Sequence, residues 1–446
     1  MNTAEKRICC FVRGLELDNI PSPVLNTALR CLTDTVGVML SGTRSFQYRA
    51  ALNSLRADSF ASEQTISLSD AALLGGVCAH SQEYNDLFYC QPGHPSACLV
   101  PVALGLGERL DSSGRQLMEA YIAGFEISSL VNQAMLPQGH IKGFHTTGIA
   151  GTLGCAMAAG KLLELSEEQL GTALSLACTF ACSLRANFGT AANSLHAGLA
   201  AANGLRAAQF AKNGIDAKED LLSGDFSACY LLDTEKLVSL SAGLGQVWAF
   251  NEPGILLKKY PCCFSAYQAV EAALEIRKAH SFSPEHIERI SILSSENHCM
   301  SLPRFWPDSE YSQRFCMPYC VSAALIFSRL DPDCFGQDLH ERPDFLRLRD
   351  RISYGVDPEQ KGLPGFGYST VLLRLSDGRE LFAKAWPKPS DRAENWSLAQ
   401  LWHKFNLCTQ GRLSDSQSQT LFQTLLHADQ LEDTNALYAL IKARRP

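Results

Sequence analysis

Residues 369–386 read STVLLRLSDGRELFAKAW, and the fold class turns on them. Val371, Leu373 and Leu375 alternate with other residues at the two-residue period of a half-buried strand. Asp377-Gly378 then offers a type I′ turn, and Leu381 and Ala383 resume the alternation. This is a β-hairpin, and little else in the chain resembles it. Its one clear companion is PEHIERISILSS at 284–295, a strand marked by Ile287, Ile290 and Ile292.

Outward from the hairpin the period changes. Up to about residue 255 the chain reads as helix after helix. IPSPVLNTALRCLTDTVGVML (20–40) starts with Ser22 as N-cap and Pro23 at the first helical position, and Leu25, Leu29, Leu32 and Val36 follow at helical spacing. LSEEQLGTALSLACTFACSL (165–184) carries Ser166 and Gln169 as a capping box. The alanine-rich segment 196–214 stops at Asn213-Gly214. Helices are expected again near 265–279 and 317–330, and from 395 to the end. The expected fold is therefore mainly α. A large all-helical domain is built from 1–255 and the tail 395–446, and a smaller α+β domain, 256–394, is inserted between them. Pro387-Lys388-Pro389 is the best linker.

Composition narrows the function classes. The chain has 446 residues, 46% of them hydrophobic and 19% charged, which suits a large soluble core. A net charge of −7 gives no general attraction to nucleic acid or to an anionic membrane. No apolar run approaches a membrane span, and the N-terminal residues lack a secretory h-region, so a cytoplasmic location is expected. The 17 cysteines include no CxxC pair. They read as small buried hydrophobes in a reducing compartment, not as zinc ligands.

Four stretches hold polar residues that neither periodicity nor capping explains. In 80–108, Glu83, Asn85 and Asp86 precede Gly93-His94-Pro95 and an apolar helix. A residue before proline avoids the helix interior, so His94 sits on a loop or at a helix start. In 143–165, His145 stands just ahead of a helix of small residues, where bracing that helix is its ordinary role. In 183–204, Arg185, Asn193 and His196 are the polar exceptions, and His196 is a candidate buried partner for a carboxylate. In 256–276, Lys258-Lys259 precedes an aromatic-proline turn. A lysine pair is ordinarily a solvated surface feature, but a partly buried amine can act as acid or base. There is no GxGxxG, P-loop, HExxH or GxSxG. No cofactor and no metal are therefore expected. Two histidines, a lysine and carboxylates suit proton transfer beside a carboxylate.

In this order and spacing the stretches resemble the MmgE/PrpD family. The marks are HPSACLVPVALGLGE, GFHTTGIAGTLGCAMAAGKLL, LRANFGTAANSLHAGLAAANGL, KKYPCCFSAYQAVEAAL and QRFCMPYCVSAAL, spread over nearly the whole chain. The resemblance implies a helical domain with an α+β lid, a homodimer, no metal, and an active site in the cleft between the domains. It implies cofactor-independent proton transfer at a carbon next to a carboxylate of a small carboxylic acid, followed by loss of water, loss of CO2 or epimerisation. His94, His145 and Lys258 match the family's motif positions and are the expected catalytic residues. Glu83, Asp86, Arg185, Asn193, His196, Cys263 and Tyr267 are the expected substrate-binding set.

The chain departs from the family pattern at instructive points. Where the family typically has Asp-x-Asp-Asp-Thr, this sequence has Glu83-Tyr84-Asn85-Asp86-Leu87. Neutral Asn193 stands where a substrate-facing lysine is usual. Tyr267 replaces a frequent histidine, and Cys263 stands where decarboxylase-like members carry another. A charge-assisted contact contributes roughly 1.5–3 kcal/mol, about 10- to 150-fold in affinity. Its loss points away from a citrate-like tricarboxylate. The leading expectation is a lyase of the hydro-lyase or decarboxylase type. Epimerisation of a small dicarboxylate is the alternative, and non-catalytic metabolite binding is the third.

Overall fold

The hairpin folds as the sequence pattern requires, except at its turn. The strand Ser369–Leu375 faces the core with Val371, Leu373 and Leu375, while Arg374 is exposed. The turn is not type I′. Gly378 alone takes a left-handed backbone, at φ +87°, its N–H donates to the Leu375 carbonyl at 2.9 Å, and the Arg379 N–H is held by the Asp377 carboxylate at 3.0 Å. Three loop residues, a tight turn and one left-handed glycine make a bulged hairpin, in which Asp377 keeps an ordinary backbone and only the glycine needs the unusual one.

The structure is a computed structural model that describes residues 3–57, 66–89, 91–302, 305–362 and 367–442. It is mainly α, with a smaller α+β part. In chain order the strands are β1 (Leu87–Phe88), β2 (Ile255–Leu256), β3 (Ile287–Ser294), β4 (Ile352–Val356), β5 (Ser369–Leu375) and β6 (Glu380–Ala385). The last four form one sheet in the order β4-β3-β5-β6, with β3 and β4 parallel and the other pairs antiparallel. The helices Tyr267–Ala279 and Met317–Phe327 belong to the same part, sharing one apolar cluster with the inward residues of the sheet.

A second and larger cluster runs from Ala4 to Leu257 and resumes from Ala393 to Tyr438. The C-terminal helix Leu398–Thr409 packs on Ser22–Gly42, so the tail returns to the helical body. Helices begin where a side chain can satisfy their free N–H groups. Capping boxes form at Ser113/Gln116, Ser166/Gln169, Ser397/Gln400 and Ser414/Gln417. The helix at 22 differs from expectation. Pro21 is its N-cap, and Ser22 is already helical with no capping bond from that position. The small residues of Thr146–Leu162 allow close packing on Gly114–Met135, since a Cβ on Gly154 would lie 2.6 Å from the Gly124 carbonyl.

Two short contacts bring the future site together. The β1–β2 ladder pairs Leu87 with Leu256 and Phe88 with Ile255. It sets the loop that carries Glu83 beside the segment that carries Lys258. Leu256 also bridges Arg392, so the outgoing and returning crossings between the two parts run side by side. Most of the sixteen described cysteines are buried. Among the described residues no helix is long and apolar enough to cross a membrane.

Candidate active site

Three helices begin at the same place. His94 is the N-cap of Pro95–Arg109 and His145 the N-cap of Thr146–Leu162, and neither side chain caps its own helix. Asn193 and His196 lie in the first two turns of Ala192–Lys212. The helix Leu68–His80 ends there with His80 in its last turn. Helix N-termini carry partial positive charge, so this junction favours neutral imidazoles and anionic ligands.

His80 is the hub. Its ring centroid lies 4.9 Å from that of His94 and 5.9 Å from that of His145. His80 Nδ1 faces the Asn85 amide oxygen at 3.2 Å, and Nε2 faces the Asn193 Nδ2 at 3.3 Å. An amide oxygen only accepts, so Nδ1 carries the proton and Nε2 accepts. His94 is fixed in the same way, because its Nδ1 lies 2.6 Å from the Asp86 carbonyl and must donate. Nε2 of His94 therefore keeps the lone pair. His145 Nδ1 and His196 Nδ1 meet at 2.8 Å, so one of them donates and the pair shares a hydrogen. The His145 backbone is tied to Ser183 on both sides, by N–H to carbonyl at 3.1 Å and by the Ser183 hydroxyl to the His145 carbonyl at 2.7 Å. Burial, aided by neighbouring imidazoles, pushes His145 well below the usual histidine range and His196 to about 4. Burial and the Lys258 ammonium do the same for His94.

Charge enters through Glu83 and Lys258. Lys258 is fully buried, and its Nζ donates to the Glu83 carboxylate at 3.2 Å and to the Glu83 carbonyl at 3.0 Å. Glu83 has a left-handed backbone, φ 48°, uncommon for a residue with a side chain and typical of strained functional positions. Burial alone would push its carboxyl up, but the Lys258 ammonium, with His80 and His94, overrides this and holds it at about 2. Asn193 Nδ2 reaches Glu83 Oε1 at 3.1 Å and the Tyr311 oxygen at 2.9 Å, and the Tyr311 hydroxyl reaches Glu83 Oε1 at 3.2 Å.

The structure thus brings together His94, His145, Lys258, Glu83, Asn193 and His196, and places the other candidates differently. His196 partners an imidazole, not the expected carboxylate. Asp86 turns into the body, where its carboxylate accepts from Ser96, which also meets the Tyr121 hydroxyl at 2.6 Å. Burial pushes the Asp86 carboxyl up to about 7, and Asp86 serves the site through its carbonyl on His94. Cys263 borders the Glu83–Lys258 pair, and burial together with Glu83 raises its thiol to about 12, so it stays protonated. Tyr267 is a correction. It is buried against Tyr260 and Phe264, and its hydroxyl accepts from the Lys259 N–H at 3.1 Å. At the start of its helix the side chain points into an apolar cluster with Leu87 and Leu256. Arg185 also lies apart, next to His140, whose pKa burial and the Arg185 charge push down to about 4.

Three participants were not singled out from sequence. His80 ends an apolar helix, where a basic residue is ordinary, and its only sequence signal is the i,i+3 spacing to Glu83. Tyr311 sits in the four-residue helix Glu310–Gln313. Arg314 is buried and clamps the lid to the body, donating to the Pro261 carbonyl at 3.0 Å and to the Gln82 side-chain oxygen at 2.9 Å. A cleft of about 450 Å³ lies between Gln47, Arg49 and Gln82 on one side and Glu310, Tyr311 and Arg314 on the other. It meets the network at Tyr311. Among the described residues no group of three or more His, Cys, Asp or Glu side chains is arranged to hold a metal.

Comparison with known proteins agrees with this architecture. Residues 6–237 match the MmgE/PrpD N-terminal domain, and residues 260–428 match the C-terminal domain. The chain is 27% identical over 463 residues to human (Homo sapiens) cis-aconitate decarboxylase, covering 98% of this chain and 94% of that protein. It is 26% identical over 465 residues to the mouse (Mus musculus) cis-aconitate decarboxylase, covering 97% and 92%. It is 25% identical over 476 residues to the cis-aconitate decarboxylase of Aspergillus terreus, covering 98% and 95%. The chain belongs to the MmgE/PrpD family.

Proposed function

We propose that the protein is a cofactor-independent lyase that removes CO2 or water from a small carboxylic acid with fewer than three carboxylates. The observation that carries this reading is the convergence of His94, His80 and His145 on the Glu83–Lys258 pair where the helical body meets the lid. Neutral imidazoles, two of them with fixed tautomers and His145 sharing a hydrogen with His196, are ready to take a proton, and the entering substrate carboxylate raises their basicity by opposite charge. In dehydration one imidazole takes the proton from the carbon beside the carboxylate, and the hydroxyl leaves as water with a proton from the acid partner. In decarboxylation the C–C bond to the departing carboxylate breaks, CO2 leaves, and the electron pair is protonated at carbon. His145 is the proposed proton-transfer residue. His94 and Lys258 hold carboxylate or donate.

The charge count supports the smaller substrate. The one ammonium of the network is already paired with Glu83, and Asn193 adds no charge. Epimerisation needs a second acid/base group on the far face. Cys263, a thiol held protonated near 12, and Tyr267, whose hydroxyl is bound to the Lys259 amide, are poorly suited to that role, so the lyase reading is preferred. Non-catalytic binding gives way to the lyase relatives.

The test is a screen of mono-, di- and tricarboxylic acids, reading CO2 release and the ultraviolet absorbance of new double bonds. Turnover of a mono- or dicarboxylate at a kcat/KM at least about tenfold above that of cis-aconitate is expected, the size of one lost charge-assisted contact. Preference for cis-aconitate or a citrate would contradict the reading.

A further inference from the structure

Beyond the imidazoles, a buried ion pair touches the same loop from behind. Asp34, on Ser22–Gly42, and Lys404, on Leu398–Thr409, are each 2% exposed. Lys404 Nζ lies 2.7 Å and 3.0 Å from the two Asp34 oxygens. Its further hydrogen bond, 2.7 Å long, goes to the carbonyl of Tyr84. The ammonium also stands 4.2 Å from the centroid of the Tyr84 ring.

Tyr84 is the residue between Glu83 and Asn85. Its ring reaches across to the lid crossing, where its hydroxyl donates to the Lys259 carbonyl at 3.1 Å. One side chain is therefore one residue removed from each of three working groups. These are Glu83, whose left-handed backbone needs an outside support, Asn85, which sets the His80 tautomer, and Lys258. A buried ion pair is weak as a stabiliser but well suited to specifying one geometry.

We infer that Lys404, held by Asp34, is a positioning residue that acts through Tyr84 to hold Glu83, Asn85 and Lys258 in their working geometry. This rests on the proposed role of the Glu83–Lys258 pair. It explains why the chain returns to the helical body after the lid: the tail supplies the cation that locks the loop. Lys404 touches none of the reacting groups, and its effect is carried by the Tyr84 carbonyl and ring.

The test uses the full-length protein and two readouts that need no substrate. The first is amide hydrogen exchange of residues 81–89 and 256–261. The second is the ¹⁵N-histidine spectrum, with His80 assigned by His80→Gln. The double variant Asp34→Leu/Lys404→Met removes both charges together, so that no lone charge is left buried. It is expected to speed exchange in 81–89 by roughly tenfold, the scale of one lost charge-assisted hydrogen bond. His80 should change from a single Nδ1–H tautomer to a mixture, with Thr146–Leu162 as protected as before. Lys404→Arg should restore most of the native pattern. Tyr84→Phe should speed exchange in 256–261 and leave 81–89 largely protected. Native exchange and a native His80 spectrum in the double variant would overturn the inference, as would an equal rise across all helices. Because neither readout uses turnover, failure of the proposed reaction would show separately, in the acid screen.

Discussion

The helical body and the α+β lid contribute opposite things to one site. The body supplies imidazoles at helix ends, buried, neutral and held by carbonyls and amides. The lid side supplies Lys258, the Tyr311 hydroxyl and the Arg314 clamp. The body is preorganised by secondary structure, because a residue at a helix N-cap has little freedom left. The lid side is held to it by a few polar contacts. Proton-transfer geometry is thus built into the helical body, and the lid side adds the ammonium and the tyrosine hydroxyl that meet it.

Breaking the clamp tests this division most severely. Arg314→Met leaves the Gln82 and Pro261 oxygens without their donor. A loss of roughly 3 kcal/mol in denaturant unfolding is expected, with faster amide exchange at Glu83 and Cys263, whose N–H groups are bonded on either side of the clamp. Unchanged stability would mean that the lid does not depend on this contact. Tyr311→Phe is gentler. It removes one hydroxyl from Glu83 and Asn193 and leaves the ring in place. A fall in kcat of roughly five- to tenfold is expected, with little change in Tm. A fall in stability without a fall in kcat would make Tyr311 a structural residue.

The smallest effect concerns pH. Burial pushes Glu126 up to about 8, against its backbone bonds from Ala249 and Phe250. Its folded value is raised, so its contribution is full below about 4.5 and is lost as pH rises toward 8. His140 and His196 run the other way. Their folded values near 4 lie below the ordinary 6.5, so stability is full above 6.5 and is lost as pH falls toward 4. Calorimetry from pH 4 to 8 should show both limbs. Glu126→Gln should flatten only the alkaline one, by roughly 2–4 °C in Tm. An unaltered alkaline limb would assign it to other groups.

Much of the fold could be read from local pattern. The hairpin at 369–386, the strand at 287–294 and the capping boxes each depend on residues within a few positions of one another. The turn type could not be read, because Asp-Gly serves both the two-residue turn and the bulged one, and the flanking register decides. His94, His145 and Lys258 stood out as polar residues in apolar settings. His80 did not, because a basic residue closing a helix looks ordinary. Tyr267 entered the expected set only as the occupant of a position where the family often has histidine, and the turn of its helix that aims it at Leu87 and Leu256 is not recorded in that match. Convergence of residues 80, 94, 145, 196 and 258 is set by how the helices pack, which no local spacing records.

The central claim is that these side chains act as one unit, and single and double substitutions test it most directly. On the acid found by the screen, His145→Asn and Lys258→Met are each expected to lower kcat/KM by about 10²-fold or more, with native circular dichroism. The double variant should be hardly worse than the worse single, since groups in one machine lose their function together. Losses that multiply in the double variant, or wild-type turnover in either single, would contradict the account.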